Sequence, residues 1–272
     1  LETVVRSGTI GAGRRGGVTI SNGSLGAAGV RRGVPYSIVI ESDAPLGATL
    51  AHYDFEQSTG DSFTDAPSGT WTFARVERNP GNVADALTVY NPNPFDVTLT
   101  LTAHTSTGTV VLTKVVGANR RGGWNIGATS ALPVGVFGVT LTSRATSSAN
   151  DAAFIGVVAG LAHYDVSRGG AYGVLGQAGQ GSTVGAIPTL TNGAGVSSEV
   201  ALYNPGDLPT TVVITGQYVN ASLPTLSRSI DIPARSTLVF SAEALGLIAD
   251  QAIGLVYRST YAIVVLAAEY QK

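Results

Sequence analysis

The chain of 272 residues contains no cysteine and no methionine. Without cysteine there is no disulfide, no thiolate nucleophile and no cysteine-based zinc site, so packing alone must hold the fold together. Without methionine, even at position 1, the chain reads as a mature or excised fragment rather than a primary translation product. Charge is also scarce: Asp, Glu, Lys and Arg make up 12% of the residues, against a usual quarter. The net charge of −2 and the scattering of arginines as isolated pairs leave no basic stripe for nucleic acid or an anionic membrane. The longest apolar runs, such as Ile263 to Ala268, fall far short of the ~20 residues of a membrane span. With 3 histidines in all, the sequence points away from a zinc site, and no G-x-S-x-G nucleophile motif occurs.

What the chain does have is repetition. The segments VVRSGTIGAGRRGGVTI, YSIVIES and GATLAHYDF return in the same order as VVLTKVVGANRRGGWNI, FGVTLTS and VAGLAHYDV, and a diverged third pass reads SRSIDIPARSTLVF, IGLVYRS and VVLAAEYQ. A second element, ALTVYNPNPFDVTLTLTAHT against VALYNPGDLPTTVVITGQY, lies between the passes in two copies. Arg14 and Arg120 lie 106 apart, His52 and His163 111, and Tyr90 and Tyr203 113. A unit of that length is one compact domain and too long for a solenoid repeat.

Val97, Leu99, Leu101 and Ala103 alternate with Thr98, Thr100, Thr102 and His104, which predicts a strand with one core face and one wet face. Thr211–Tyr218 is its second copy, and Ser37–Ser42, Gly138–Ser143 and Gly254–Ser259 predict one strand in three copies. Asn-Pro and Gly-Gly pairs mark the turns. One short helix is expected over Ala242–Ala249, with Ser241 as N-cap. About seven short strands per unit imply an all-β class: tandem antiparallel β-sandwich modules, arranged as a half-module over 1–56 and full modules over 57–166 and 167–272. On its LYNP-type strand ends and Thr/Val alternation, the chain resembles the tandem immunoglobulin-like β-sandwich repeats of bacterial surface and secreted proteins. That resemblance implies a spacer, adhesive or lattice-forming role at the cell surface or outside the cell.

Several motifs invite chemistry. Gly11-Ala12-Gly13-Arg14-Arg15-Gly16 matches a dinucleotide fingerprint, but Val18-Thr19-Ile20 continues as a strand and no helix follows, so it reads as a hairpin tip with glycine at positive φ. Arg14, Arg15, Arg120 and Arg121 stand at these tips as candidate contacts for an acidic partner or a glycan. His52 with Asp54 and His163 with Asp165 place His and Asp on one strand face, a pairing able to orient a base. The third copy keeps only the tyrosine, as Tyr270, which favours a packing or module-junction role. Asp54, Asp61 and Asp65 are candidate calcium ligands in an oxygen-rich loop, the one cofactor the sequence suggests. Trp71 and Trp124 read as packing residues. The glycine-rich stretch 169–195 reads as a loop or as an insertion packed on a neighbour.

None of the residues shared among the copies is a credible acid, base or nucleophile, so a non-catalytic protein is expected. The half-module carries the functional expectation. A sandwich lacking its YNP and TLTLTA strands leaves open edges, which invite strands from another chain. Residues 1–56 then self-associate head to tail, making a fibre, sheath or layer subunit. The alternative is a spacer or accessory module that binds glycan or another surface protein within a longer polypeptide.

Overall fold

The computed structural model describes residues 5, 7–20, 36–54, 57–147, 153–193 and 195–271; the side chains of 52–58 and 271 lie outside that description. The chain divides into two compact units, Leu1–Glu41 and Ser42–Lys272. In the first, the described residues form no strand. Their ordered feature is a turn in which the Arg14 N–H donates to the Gly11 carbonyl at 3.0 Å, with Gly13 at φ 65°. The strand expected at 37–42 does not form: these residues pair with nothing among the described residues. A lone extended segment has no ladder partner, and propensity without pairing does not make a strand.

The second unit is nearly all antiparallel β. A hairpin of β1 (Thr49–Asp54) and β2 (Gln57–Ser62) comes first. Two facing sheets follow, built from β3 (Thr70–Arg78), β4 (Val83–Asn91), β5 (Val97–Thr105), β6 (Gly108–Val116), β7 (Arg120–Asn125), β8 (Gly135–Ala145), β9 (Val158–Asp165), β10 (Gly170–Leu175) and β11 (Gln177–Ala178). One sheet has the order β10-β9-β4-β7 and the other β11-β3-β8-β5-β6. Leu87, Val89 and Leu161 of the first meet Leu99, Leu101 and Leu141 of the second, forming a closed core. Alternation is strict: β4 and β5 each bury every second residue.

The same pairing recurs in β12 (Ser182–Asn192), β13 (Val196–Asn204), β14 (Thr210–Tyr218), β15 (Leu226–Ile232), β16 (Ser236–Ser241) and β17 (Gln251–Gln271). Here one strand does the work of β8 and β9. The first part of β17 pairs β12 and β14, and the last part pairs β13. These strands close a second core around Leu202, Ile214, Leu255 and Ile263. Register fixes the equivalences. Val97 faces Val116 as Thr210 faces Ile232, and Leu101 faces Leu141 as Ile214 faces Tyr257. The ladder between Phe73 and Val76 breaks at the same place as that between Ile187 and Leu190.

The recurrent Tyr-Asn-Pro has a physical cause. Asn91 is fully buried, and its Nδ2 donates to the carbonyls of Phe95, Val116 and Gly117 while its Oδ1 accepts from the Asn93 N–H. Asn204 repeats this with Leu208, Ile232, Pro233 and Gly206. One amide thus ties the turn after its own strand to the next hairpin, satisfying carbonyls that proline-containing turns leave without a ladder.

By sheet membership, β10 and β11 extend the first pair of sheets through Ala178, and the second begins at Ser182. The glycine-rich stretch is therefore strand rather than loop. Its glycines sit where rings cross the backbone, with Gly170 under Tyr270, Gly176 under Phe73 and Gly185 under Tyr257. The helix is shorter than expected: α1 (Ala242–Leu245) starts at Ser241, whose Oγ accepts from the Ala244 N–H, and stops at Gly246 with φ 85°. Among the described residues no helix is long and apolar enough to cross a membrane.

Candidate functional site at the sandwich junction

β3 and β4 bring polar side chains to inward positions of otherwise apolar strands. In β4, Asp85 takes the inward slot between Val83 and Leu87, and in β9 His163 continues the inward row of Ala159 and Leu161. Cross-strand register sets Asp85 opposite His163, and the His163 Nδ1 lies 2.5 Å from Asp85 Oδ1. On its other side, His163 Nε2 is 3.2 Å from Arg75 Nη1 and 3.4 Å from the Tyr270 hydroxyl. A guanidinium can only donate, so Nε2 accepts and the proton sits on Nδ1, facing Asp85. The second Asp85 oxygen accepts from the Glu77 N–H at 2.7 Å.

Arg75 links this pair to the second sandwich. Its Nη2 meets Glu77 Oε2 at 2.6 Å and Glu199 Oε2, on β13, at 3.6 Å, and its Nη1 reaches the Tyr172 hydroxyl at 3.3 Å. Arg168 binds Glu199 and, at 3.2 Å, Asp165, and stacks its guanidinium over Tyr270. Tyr172 stacks on the His163 ring at a centroid distance of 4.6 Å. Burial by itself lowers the Arg75 pKa, but the neighbouring Tyr172 and Tyr270 phenols and Glu77 outweigh it, and the net shift is upward. Burial pushes the Tyr270 hydroxyl up to about 12 and the Tyr172 hydroxyl higher still. Arg75, Asp85, His163 and Asp165 are each no more than 3% exposed. Arg75 Nε has no hydrogen-bond partner among the described residues.

A second contact completes the junction. Ala74, Ala201, Tyr203 and Val264 form an apolar cluster between the two sandwiches. The Tyr203 ring covers Gly138, where a Cβ would collide with it, and its hydroxyl is 2.7 Å from His104 Nδ1. Thr237 Oγ1 donates to the Ala74 carbonyl at 3.3 Å. Burial holds the His104 pKa below its usual value, and nearby Arg235 adds to this.

Chemically, this arrangement clamps. A His–Asp pair resembles the orienting half of a hydrolytic triad, but His163 is sealed from solvent and its free nitrogen is occupied by Arg75.

His163 and Asp165 share a face, as their spacing predicts, but they do not pair. Asp165 instead accepts from Ser167 Oγ and the Arg168 N–H. The side chains of His52 and Asp54 lie outside the described residues. Asp61 lies in β2 against Gly173 and Asp65 is exposed in a bend; among the described residues no three His, Asp or Glu side chains gather as a metal site. Arg14, Arg15, Arg120 and Arg121 are all exposed. Trp71 is buried, donating from Nε1 to the Val157 carbonyl at 2.8 Å, and Trp124 is half-buried beneath Lys114. Sequence reading missed Arg75, Asp85 and Glu199. A signal existed for Asp85, a carboxylate on the apolar phase of Val83, Leu87 and Val89.

No family model matches the chain, and no curated protein matches it. Among solved structures, it is similar to the crystal structure of Thermotoga maritima 1070, at 14% identity and a TM-score of 0.36, over 43% of this chain and 98% of that one. It is also similar to the N-terminal CBM22-1-CBM22-2 tandem domain of Paenibacillus barcinonensis Xyn10C, at 9% identity and a TM-score of 0.15, over 84% of this chain and 99% of that one. Neither superposition is close enough to bear on function.

Proposed function

We propose that this is a non-catalytic, extracellular structural protein, a subunit of a surface fibre, sheath or layer built from tandem immunoglobulin-like sandwiches. One observation carries the reading. Residues 5–20 and 36–41 repeat the sequence of β6, β7 and β8, yet they form no ladder among the described residues, and Val5, Ile10, Val18, Val39 and Ile40 face solvent: Ile10 is 53% exposed where its counterpart Val116 is 3% exposed. Such half-made strands bind strand edges. The chain also carries such edges: β6 ends its sheet with Val111 and Val115 exposed. In this reading residues 5–20 and 36–41, within the expected half-module 1–56, of one copy pair with edges of a second, head to tail, and a contact that does not close on itself propagates a filament or sheet. The sealed His163–Asp85 pair supports a structural rather than a catalytic use of the chain's histidine.

The test is electron microscopy of the native material alongside sizing of the recombinant chain over a wide concentration range. Filaments or sheets that disappear when Ile10 and Ile40 are replaced by Asp are expected. A monodisperse monomer at all concentrations refutes the polymer and leaves a spacer or a glycan- or protein-binding module.

A further inference from the structure

The junction within the chain shows how one sandwich receives the next. The outer face of β3, β8 and β5 presents Ala74, Gly138 and His104, and the outer face of β13, β16 and β17 lays Tyr203, Thr237 and Val264 upon it. Register carries each half of this contact onto an equivalent face elsewhere. His104 pairs with Gly138 as Gln217 pairs with Gly254, so Gly254 repeats the glycine that seats the Tyr203 ring. Thr102 pairs with Thr140 as Thr215 pairs with Val256, and the shared ladder break puts Pro188 where Ala74 stands. On the presenting side, Tyr90 and Val158 are partners in β4 and β9 as Tyr203 and Val264 are in β13 and β17. Likewise Tyr90 faces Arg121 as Tyr203 faces Thr237.

We infer that the outer face of β12, β14 and β17 in the second sandwich is a docking surface for the first sandwich of a second copy, which approaches with its Tyr90 face and repeats the junction already present within the chain. This rests on the self-association proposed above and names a contact for it. The receiving face is exposed: Gln217, Pro188 and Thr189 are open to solvent and Val256 is 41% exposed. Among the described residues, only the Pro188 carbonyl, at 3.3 Å, approaches the Cβ position of Gly254, leaving the seat for a ring open. The chemistry also matches at a polar contact that the register transfers. Thr237 donates to the Ala74 carbonyl, and Arg121, exposed at the same position and a donor only, meets the Pro188 carbonyl. The ion pair of Arg75 and Glu199 has no counterpart, since Thr189 and Ala86 stand there. The copy-to-copy contact thus lacks a buried ion pair, and its charge, the Arg121 guanidinium, has the Pro188 carbonyl as acceptor. Its two faces differ, so it propagates head to tail.

The absence of native cysteine makes the test direct. Full-length Arg121→Cys and Thr189→Cys chains are mixed and treated with a short bis-maleimide, and their sizing is compared with that of the wild type. The expected result is a cross-linked pair joining the two variants in several-fold excess over either homodimer, and a tenfold or greater weakening of association by Val256→Arg with an unchanged melting curve. If the chain associates but 121 and 189 do not link preferentially, or 189 links to 189, this docking mode is overturned while self-association stands. A chain that stays monomeric and links nothing overturns both.

Discussion

Residues 5–20 and 111–126 are two copies of one repeat segment, identical at half of their positions, in two states. Both make the same turn: the Arg14 N–H donates to Gly11 at 3.0 Å as the Arg120 N–H does to Gly117 at 3.2 Å, and Gly13 and Asn119 take φ 65° and 53°. In each, a glycine makes room for the apolar residue before the turn, Gly16 for Ile10 and Gly122 for Val116. Only the second copy is in strands. There β6 lies on β5 and β7 on β4, and Val116 and Ile126 are buried. The local turn is therefore written in about a dozen residues, while the ladder belongs to the YNP strands β4 and β5. A hairpin alone is marginal in water until a third strand and a core are added.

The comparison can be broken most forcefully at the junction network. Arg75→Met removes the guanidinium shared by Glu77, Glu199 and His163 Nε2, and a loss of about 3–5 kcal/mol is expected, read as a lower denaturant midpoint. Leu101→Ala, at a fully buried position of β5, should cost about 2–5 kcal/mol and raise hydrogen exchange in 108–125 toward the rate of 5–20. Intact protection of β6 and β7 in that variant would show that these strands hold without β5.

Titration gives the next effect. The hydroxyls of Tyr203 and Tyr270 are pushed up to about 12 by burial, against about 10 in an unfolded chain. Their contribution is complete below pH 10 and is lost as pH rises through 12, of order 2–3 kcal/mol each. On the acid side, the lowered pKa of His104 means that its contribution is present above about 6.5 and declines as pH falls through the folded value. His104→Gln should flatten the acid limb of a melting-temperature profile and leave the alkaline limb in place.

The smallest effect sharpens the contrast best. Asn119→Val forces a β-branched residue into the left-handed region and should cost about 1–2 kcal/mol, because the β6–β7 ladder depends on that turn. Gly13→Val imposes the same strain where no ladder follows among the described residues, so the main unfolding transition should not move. Equal losses in both variants would mean that residues 5–20 contribute to the cooperative core.

Much of the fold was legible where the pattern was local. The Val97–Ala103 alternation became β5, Ser241 capped α1, and turns fell at Asn91-Pro92, Asn204-Pro205 and Gly169, whereas Gly122-Gly123, expected as a turn, lies inside β7 paired with Val89 and Thr88. Three features were not legible. The strand expected over 37–42 failed for want of neighbours, since Ile40 is exposed where its counterpart Leu141 is fully buried. The glycine-rich 169–195 became strands because rings from distant residues need bare backbone to lie on. At the candidate site, spacing offered Asp165 as the partner of His163, whereas cross-strand register supplied Asp85, 78 residues away.

By itself, then, the sequence determined the repeat, the strand alternation, the turns and the helix cap, because each depends on torsions and hydrogen bonds within a few residues. Only the tertiary structure decided which copy becomes sheet and which polar residues become a sealed network. It also decided which tyrosine, Tyr203 or Tyr90, is fully buried at the junction within the chain. Those outcomes depend on what lies opposite in space, and the tyrosine of the same Tyr-Asn-Pro is half-buried in one copy and sealed in the other according to the face it meets.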